Sequence, residues 1–153
     1  MEKNFRLEHF NKAVLMGEAT WWQMSLPIGN VIFGENKAQV LGYKEDDFKH
    51  FTDFMKLVHP DDYQSAMDAM RSHMTGRADL YETTYRIKHR DGHYIRFYDC
   101  GQITQKEGNE MTIMGFVMKV KDEGDILDQM KEFKDTILSG EPSIIDLVAG
   151  IKN

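Results

Sequence analysis

Cysteine is nearly absent: Cys100 is the only one in 153 residues. A single thiol cannot form an intrachain disulfide, which suits a chain working in a reducing cytoplasm. Long apolar runs are also missing, and none approaches the ~20 residues a membrane span needs. The N-terminus carries Glu2, Lys3, Arg6 and Glu8 with no apolar run behind them, so no signal peptide is expected. Basic charge is in deficit, with 19 Lys and Arg against 25 Asp and Glu, a formal charge of −6. Nucleic-acid binding through a basic surface is therefore not expected. The one basic cluster, Lys88-His89-Arg90, is short and reads as a solvated turn. Metal-ligand spacing is lacking, because there is no cysteine pair and His89 and His93 straddle a predicted turn instead of sharing a helix face. Ser65 and Ser72 have no neighbouring base that sequence can identify, and there is no glycine-rich phosphate loop. No catalytic or metal residue is assigned, and the chain is not expected to be an enzyme.

What is present suits one domain with appendages. A chain of this length can bury about 70% of its unfolded surface, enough for a core without disulfides or metal. Methionine is abundant, with eleven residues. Core filling is the plainer account of most of them; an adjustable, methionine-lined pocket is the alternative. The organising stretch is Leu57-Val58-His59-Pro60-Asp61-Asp62-Tyr63. Pro60 bars a straight helix through His59 but fits the first turn of a new one. Asp61 and Asp62 put negative charge at that helix's positive end, where capping accounts for them better than acid–base catalysis. Tyr63, Met67, Met70 and Met74, with Ala66, form its apolar stripe, and Gly76 ends it.

Around this turn the other elements fall in order. Residues 4–16 can form an amphipathic helix with Phe5, Phe10, Ala13 and Val14 along one side, broken at Gly17. Such a face must dock on the sheet or on a second subunit. Strands are expected over Ala19–Leu26 and Asn30–Gly34, then short helices over Glu35–Gly42 and, capped by Thr52, Asp53–Val58. Trp21 and Trp22 must face opposite sides of the first strand. Leu80–His89 and Tyr94–Thr104 form a hairpin through Asp91-Gly92, and Met111–Lys121 is a last strand. The fold class is α+β: a five-stranded antiparallel sheet with short helices on one face, plus N- and C-terminal helices. In the segment 124–138, Ile126, Met130, Phe133 and Ile137 step by 4, 3 and 4, a short coiled-coil seam.

Several pieces in this order resemble a PAS domain: His59-Pro60-Asp61-Asp62, Tyr85-Arg86-Ile87, Arg90-Asp91-Gly92, Leu41-Gly42-Tyr43 and Gly115. The resemblance divides the chain into an N-terminal helix (1–16), the PAS domain (17–122) and a C-terminal helical signalling or dimerisation segment (123–153). It also implies that an aromatic faces inward on the first strand, and Trp21 is the better match, leaving Trp22 on the outer face. No output domain is apparent, so the chain is expected to be a fragment of a longer sensor or a module working through association.

Three positions depart from the family pattern. Thr84 stands where a glutamate would pair with Arg86. Arg96 replaces an aromatic and is expected at the surface. Lys119-Val120-Lys121 replaces the Asp-Ile-Thr that helps couple sheet to output helix. The resemblance implies a cavity between the concave sheet face and the long helix, and its candidate ligand-binding lining is Phe33, Met55, Met67, Met70, Tyr85, Cys100, Met114 and Phe116. Haem would need an axial histidine, for which His73 is best placed, and is not expected; flavin–cysteine photochemistry lacks its Asn-Cys-Arg motif. The expected function is a cytoplasmic sensory domain of a signal-transduction protein that binds a small molecule, relays through its terminal helices to a kinase or transducer, and forms a homodimer. The competing reading is a ligand-free dimerisation or protein-interaction module.

Overall fold

The structure, a computed structural model, describes residues 19–34, 41–44 and 47–120 and, toward the C-terminus, 134–135, 138–139 and 144–146. The expected N-terminal helix, most of the short helix over Glu35–Gly42 and the seam from Ile126 to Ile137 lie outside the described residues. The elements are β1 (Ala19–Leu26), β2 (Asn30–Phe33), α1 (Phe51–Met55), α2 (Pro60–Met74), β3 (Tyr81–Lys88), β4 (Tyr94–Glu107) and β5 (Glu110–Lys119). The five strands form one sheet in the order β2-β1-β5-β4-β3, with every neighbouring pair antiparallel. The last strand in sequence is thus the central one in space. The β3–β4 hairpin turns at Asp91-Gly92, where Gly92 takes φ +106°, a conformation that favours glycine.

α1 begins two residues before the expected start. His50, not Thr52, is its cap: His50 Nδ1 accepts the Thr52 N–H at 3.2 Å, and the Asp53 carboxylate accepts the His50 N–H at 3.1 Å. α2 starts as expected. Pro60 occupies its first turn, and His59 caps it by accepting the Asp61 N–H at 3.1 Å. Its buried stripe includes Ala66 and His73, whereas Tyr63 is 43% exposed and leaves it.

Asp62 does more than charge the helix start. Its Oδ2 accepts from the Arg86 backbone N–H and from Nε, both at 2.8 Å, and its Oδ1 accepts from Nη2 at 2.9 Å. The partner that Thr84 cannot supply to Arg86 comes instead from α2, and this fork pins the helix to β3. Hydrogen bonding from the Arg86 side chain, ahead of the opposing effect of burial, holds the Asp62 carboxyl below its ordinary range. Arg96, directly across from Arg86, is exposed as expected.

Both faces of the sheet are buried. The face toward the helices carries Trp22, Met24, Tyr81, Tyr85, Ile87, Phe97, Ile113 and Val117 in one core cluster with Leu41, Phe48 and Phe54. The opposite face buries Tyr98, Cys100, Phe116 and Met118. There Tyr98 donates its hydroxyl hydrogen to Glu82 Oε2 at 2.8 Å, and Lys134 Nζ lies 3.6 Å from Glu82 Oε1. Lys134 therefore sets part of the C-terminal segment against the outer face of β3, and Ile144 is buried as well.

Candidate functional site

Strand parity decides which side chains face α2. On β1, Trp22 points to the helices and Trp21 away from them, the reverse of the expected assignment. The reason is visible across the sheet. Trp22 is paired with Gly115 on β5, and Gly115 is paired with Gly101 on β4. A Cβ at Gly101 would stand 2.6 Å from Trp22 Cζ2, and one at Gly115 the same distance from that atom. Two adjacent glycines thus form a bed for the indole, and only the residue in register with them can use it.

The same parity displaces three predicted lining residues. Cys100, Met114 and Phe116 lie on the outer face, because each neighbours an inward glycine in the chain. Phe33, Met55, Met67 and Met70 line a cavity of about 260 Å³ between α2 and the sheet. Tyr85 is on the inner face, buried beside it, with its ring edge-on to Phe54 at 5.8 Å. The other walls are Trp22, Met24, Leu26, Val31, Phe51, Phe54, Ala66, Met74, Tyr81 and Asp99. Five of the eleven methionines therefore meet at this one space. The α2 stripe supplies three of them, Met67, Met70 and Met74, at the helical spacing read from the sequence.

Asp99 is the residue that sequence reasoning missed. It is 6% exposed and sits on the inner face of β4. Trp22 Nε1 donates to its Oδ1 at 2.6 Å and the Tyr85 hydroxyl to its Oδ2 at 2.7 Å. Burial, reinforced by the Asp99 charge, pushes the phenols of Tyr81 and Tyr85 well above their ordinary range, so both remain neutral donors. On the far face, burial pushes the Cys100 thiol up to about 12. It is neither in the cavity nor a thiolate, so it offers no nucleophile there.

His73 is buried, but its ring is committed to backbone. Nδ1 donates to the Ala78 carbonyl at 2.9 Å, and Nε2 accepts the Ile103 N–H at 2.9 Å, beside the register shift between Ile103 and Gln105. The ring ties the end of α2 to β4 and has no nitrogen left for an axial haem ligand. The β3–β4 turn holds a finding of another kind. His89 and His93, expected on opposite sides of the turn, stack at 4.6 Å, and both Nδ1 atoms face Asp91 Oδ1. Ligand-type atoms of the three lie within 4.8 Å of one another. Turn hydrogen bonds account for this arrangement: the Asp91 N–H donates to His89 Nδ1 at 3.1 Å, and the His93 N–H to Asp91 Oδ1 at 3.0 Å.

A family model described as the PAS fold matches residues 31–117, more than half the chain. The chain belongs to the PAS fold family. Solved structures agree on the fold of this PAS domain. It is similar to a sensory box histidine kinase/response regulator from Burkholderia thailandensis, with TM-score 0.61, 22% identity, and 86% of this chain and 98% of that one covered. It is also similar to the N-terminal domain of a diguanylate cyclase with a PAS/PAC sensor from Marinobacter aquaeolei, at TM-score 0.60, 23% identity, and 67% and 94% coverage. A third likeness is to the PAS-B domain of Drosophila melanogaster Cycle with bound ethylene glycol, at TM-score 0.55, 17% identity, and 66% and 99% coverage. No curated protein matches the sequence. Among the described residues, no helix is long and apolar enough to cross a membrane.

Proposed function

We propose that this PAS domain is a cytoplasmic sensory module that takes a small molecule into the cavity between α2 and the sheet and relays its occupancy through the terminal segments. The observation that carries the reading is the cavity itself: about 260 Å³, walled by aromatic rings and methionines, with one buried carboxylate among them. An apolar space of about 150 Å³ is enough to hold a benzene ring, so the volume suits a ligand of about ten non-hydrogen atoms. Methionine side chains re-pack cheaply and can close around such a guest. The relay is supported by β3, which presents Tyr81 and Tyr85 inward and Glu82, within reach of Lys134, outward. A shift of this strand on binding would be felt at the C-terminal segment.

The neighbours named as a histidine kinase/response regulator and a diguanylate cyclase support a signalling context. The reading therefore includes a downstream kinase or transducer and a homodimer through the terminal helices, with no catalytic activity of the domain itself. Native mass spectrometry of the purified protein, followed by a denatured run, tests it. An extra mass lost on denaturation is the expected result. A clean dimer mass with an empty cavity, unchanged after incubation with a metabolite extract, would favour a ligand-free interaction module instead. Sedimentation as a monomer at tens of micromolar would refute the homodimer.

A further inference from the structure

The bonds that shape the β3–β4 turn also gather three side chains of metal-binding type at its tip. Ligand-type atoms of His89, Asp91 and His93 lie within 4.8 Å of one another. His89 Nδ1 stands 3.2 Å from Asp91 Oδ1, and His93 Nδ1 is in hydrogen-bond contact with the same oxygen. Two ligand atoms held about 2.1 Å from one tetrahedral ion are about 3.4 Å apart, so the three side chains need only small rotations to share an ion. Much of the ordering is done before an ion arrives. The His89 N–H donates to the His93 carbonyl at 2.7 Å, and the Gly92 N–H to the His89 carbonyl at 2.9 Å. The Arg90 N–H donates to the Leu41 carbonyl at 2.9 Å and anchors the turn to the rest of the domain. The His89 ring lies against Gly42, where an added Cβ would stand 2.9 Å from its Cε1. Donors fixed in this way lose less freedom on binding. An ion displaces one turn bond, from the Asp91 N–H to His89 Nδ1 at 3.1 Å. Asp91 is exposed, so water can take over that N–H. The ion also takes the place of the proton between His93 Nδ1 and Asp91. His93 is exposed too, which leaves room for water to complete the coordination. Two imidazoles and a carboxylate suit a divalent transition ion such as Zn²⁺ or Ni²⁺. Mg²⁺ and Ca²⁺ take oxygen ligands, and this group offers one carboxylate, with Lys88 and Arg90 close by in the chain.

We infer that His89, Asp91 and His93 form a divalent transition-metal site at the tip of the β3–β4 hairpin, bound through the two Nδ1 atoms and the Asp91 carboxylate. None of the three lines the cavity, so the site does not depend on a ligand there. The full 153-residue chain, free of any affinity tag, is titrated with Zn²⁺ and separately with Mg²⁺ by isothermal titration calorimetry. One Zn²⁺ should bind per chain, and Mg²⁺ should give no saturation over the same range. His89→Ala and His93→Ala should each weaken Zn²⁺ binding at least about tenfold. Asp91→Asn, which keeps an oxygen to accept the His93 N–H, should weaken it by a similar factor. In NMR spectra of the wild-type chain, the ring signals of His89 and His93 should move together as Zn²⁺ is added. Absence of saturable Zn²⁺ binding, or binding unchanged in His93→Ala, would overturn the site. So would a ring response from another histidine in place of this pair. Mg²⁺ binding as tight as Zn²⁺ would overturn the transition-metal class. Should a substitution disturb the turn, the ring signals of the wild-type chain still decide the outcome.

Discussion

Substituting the glycine bed should reveal how tightly Trp22 is held. A Cβ at Gly101 would meet Trp22 Cζ2 at 2.6 Å and Cη2 at 2.7 Å, with the Met114 carbonyl oxygen at 3.1 Å. Carbon atoms rest about 3.5 to 4.0 Å apart, so the indole in Gly101→Ala must retreat by about 1 Å. The cavity on its open side gives it room, but retreat stretches the 2.6 Å bond to Asp99. Overpacking of this kind typically costs about 1 to 3 kcal/mol, and we expect about 2 for Gly101→Ala. Gly115→Ala is worse. Its Cβ would stand 2.3 Å from the Cys100 carbonyl oxygen, which belongs to the β4–β5 ladder and cannot swing aside. About 4 kcal/mol, or failure to fold, is the expected result. Urea denaturation followed by circular dichroism measures both, and Gly101→Ala should lower Tm by about 4 to 8 °C. The decisive quantity is the coupling to Trp22→Phe, which removes the clashing ring atoms. In a double-mutant cycle the pair should recover at least about 1 kcal/mol relative to additivity. Unchanged Tm in Gly101→Ala, or zero coupling, would mean that Trp22 does not lie on the glycines, and Trp21 would regain the inward position.

Three further outcomes follow from other contacts. Asp62→Asn should destabilise the domain in a pH-dependent way. The folded carboxyl is depressed by Arg86, so its contribution is fully present well above the unfolded value near 3.9 and is lost as pH falls through the lower folded value. The gap in urea midpoint between wild type and variant should be constant from pH 6 to 7 and close as the pH drops below about 4; a gap that widens in acid would contradict the pairing. His73→Ala should cost about 2 to 4 kcal/mol in urea unfolding by leaving the Ala78 carbonyl and the Ile103 N–H without their ring partner; a change below about 0.5 kcal/mol would show that water replaces the ring. Cys100, buried and with its thiol pushed up to about 12, should resist a disulfide thiol reagent at pH 8 in the native state and react once in urea. Rapid native labelling would place it at the surface.

The parts of this fold that were legible in the sequence are those whose cause is local. Pro60 after His59 breaks and restarts a helix by covalent geometry, and Asp91-Gly92 closes a hairpin because glycine alone takes φ +106° without strain. The α2 stripe was legible because only one side of that helix is buried. Face assignment on β4 and β5 failed for the opposite reason. Phe97, Tyr98, Asp99 and Cys100 are all buried, two on each face, so alternation between apolar and polar residues carries no information there. The rule that charge points outward then misleads, since Asp99 goes in to meet Trp22 and Tyr85 while Cys100 goes out. Thr84 rightly signalled that Arg86 has no glutamate partner on its own strand, but its actual partner, Asp62, was not legible because it sits 24 positions away across the fold. One signal could have set the parity. Glycine within a strand marks a close approach by something large, and Gly101 and Gly115 are directly opposed once β4 and β5 pair through the turn at Gly108. A tryptophan is the natural occupant of a two-glycine bed. Placing those glycines inward forces Asp99 inward and Cys100, Met114 and Phe116 outward, so the whole polarity of the cavity follows from two residues without side chains.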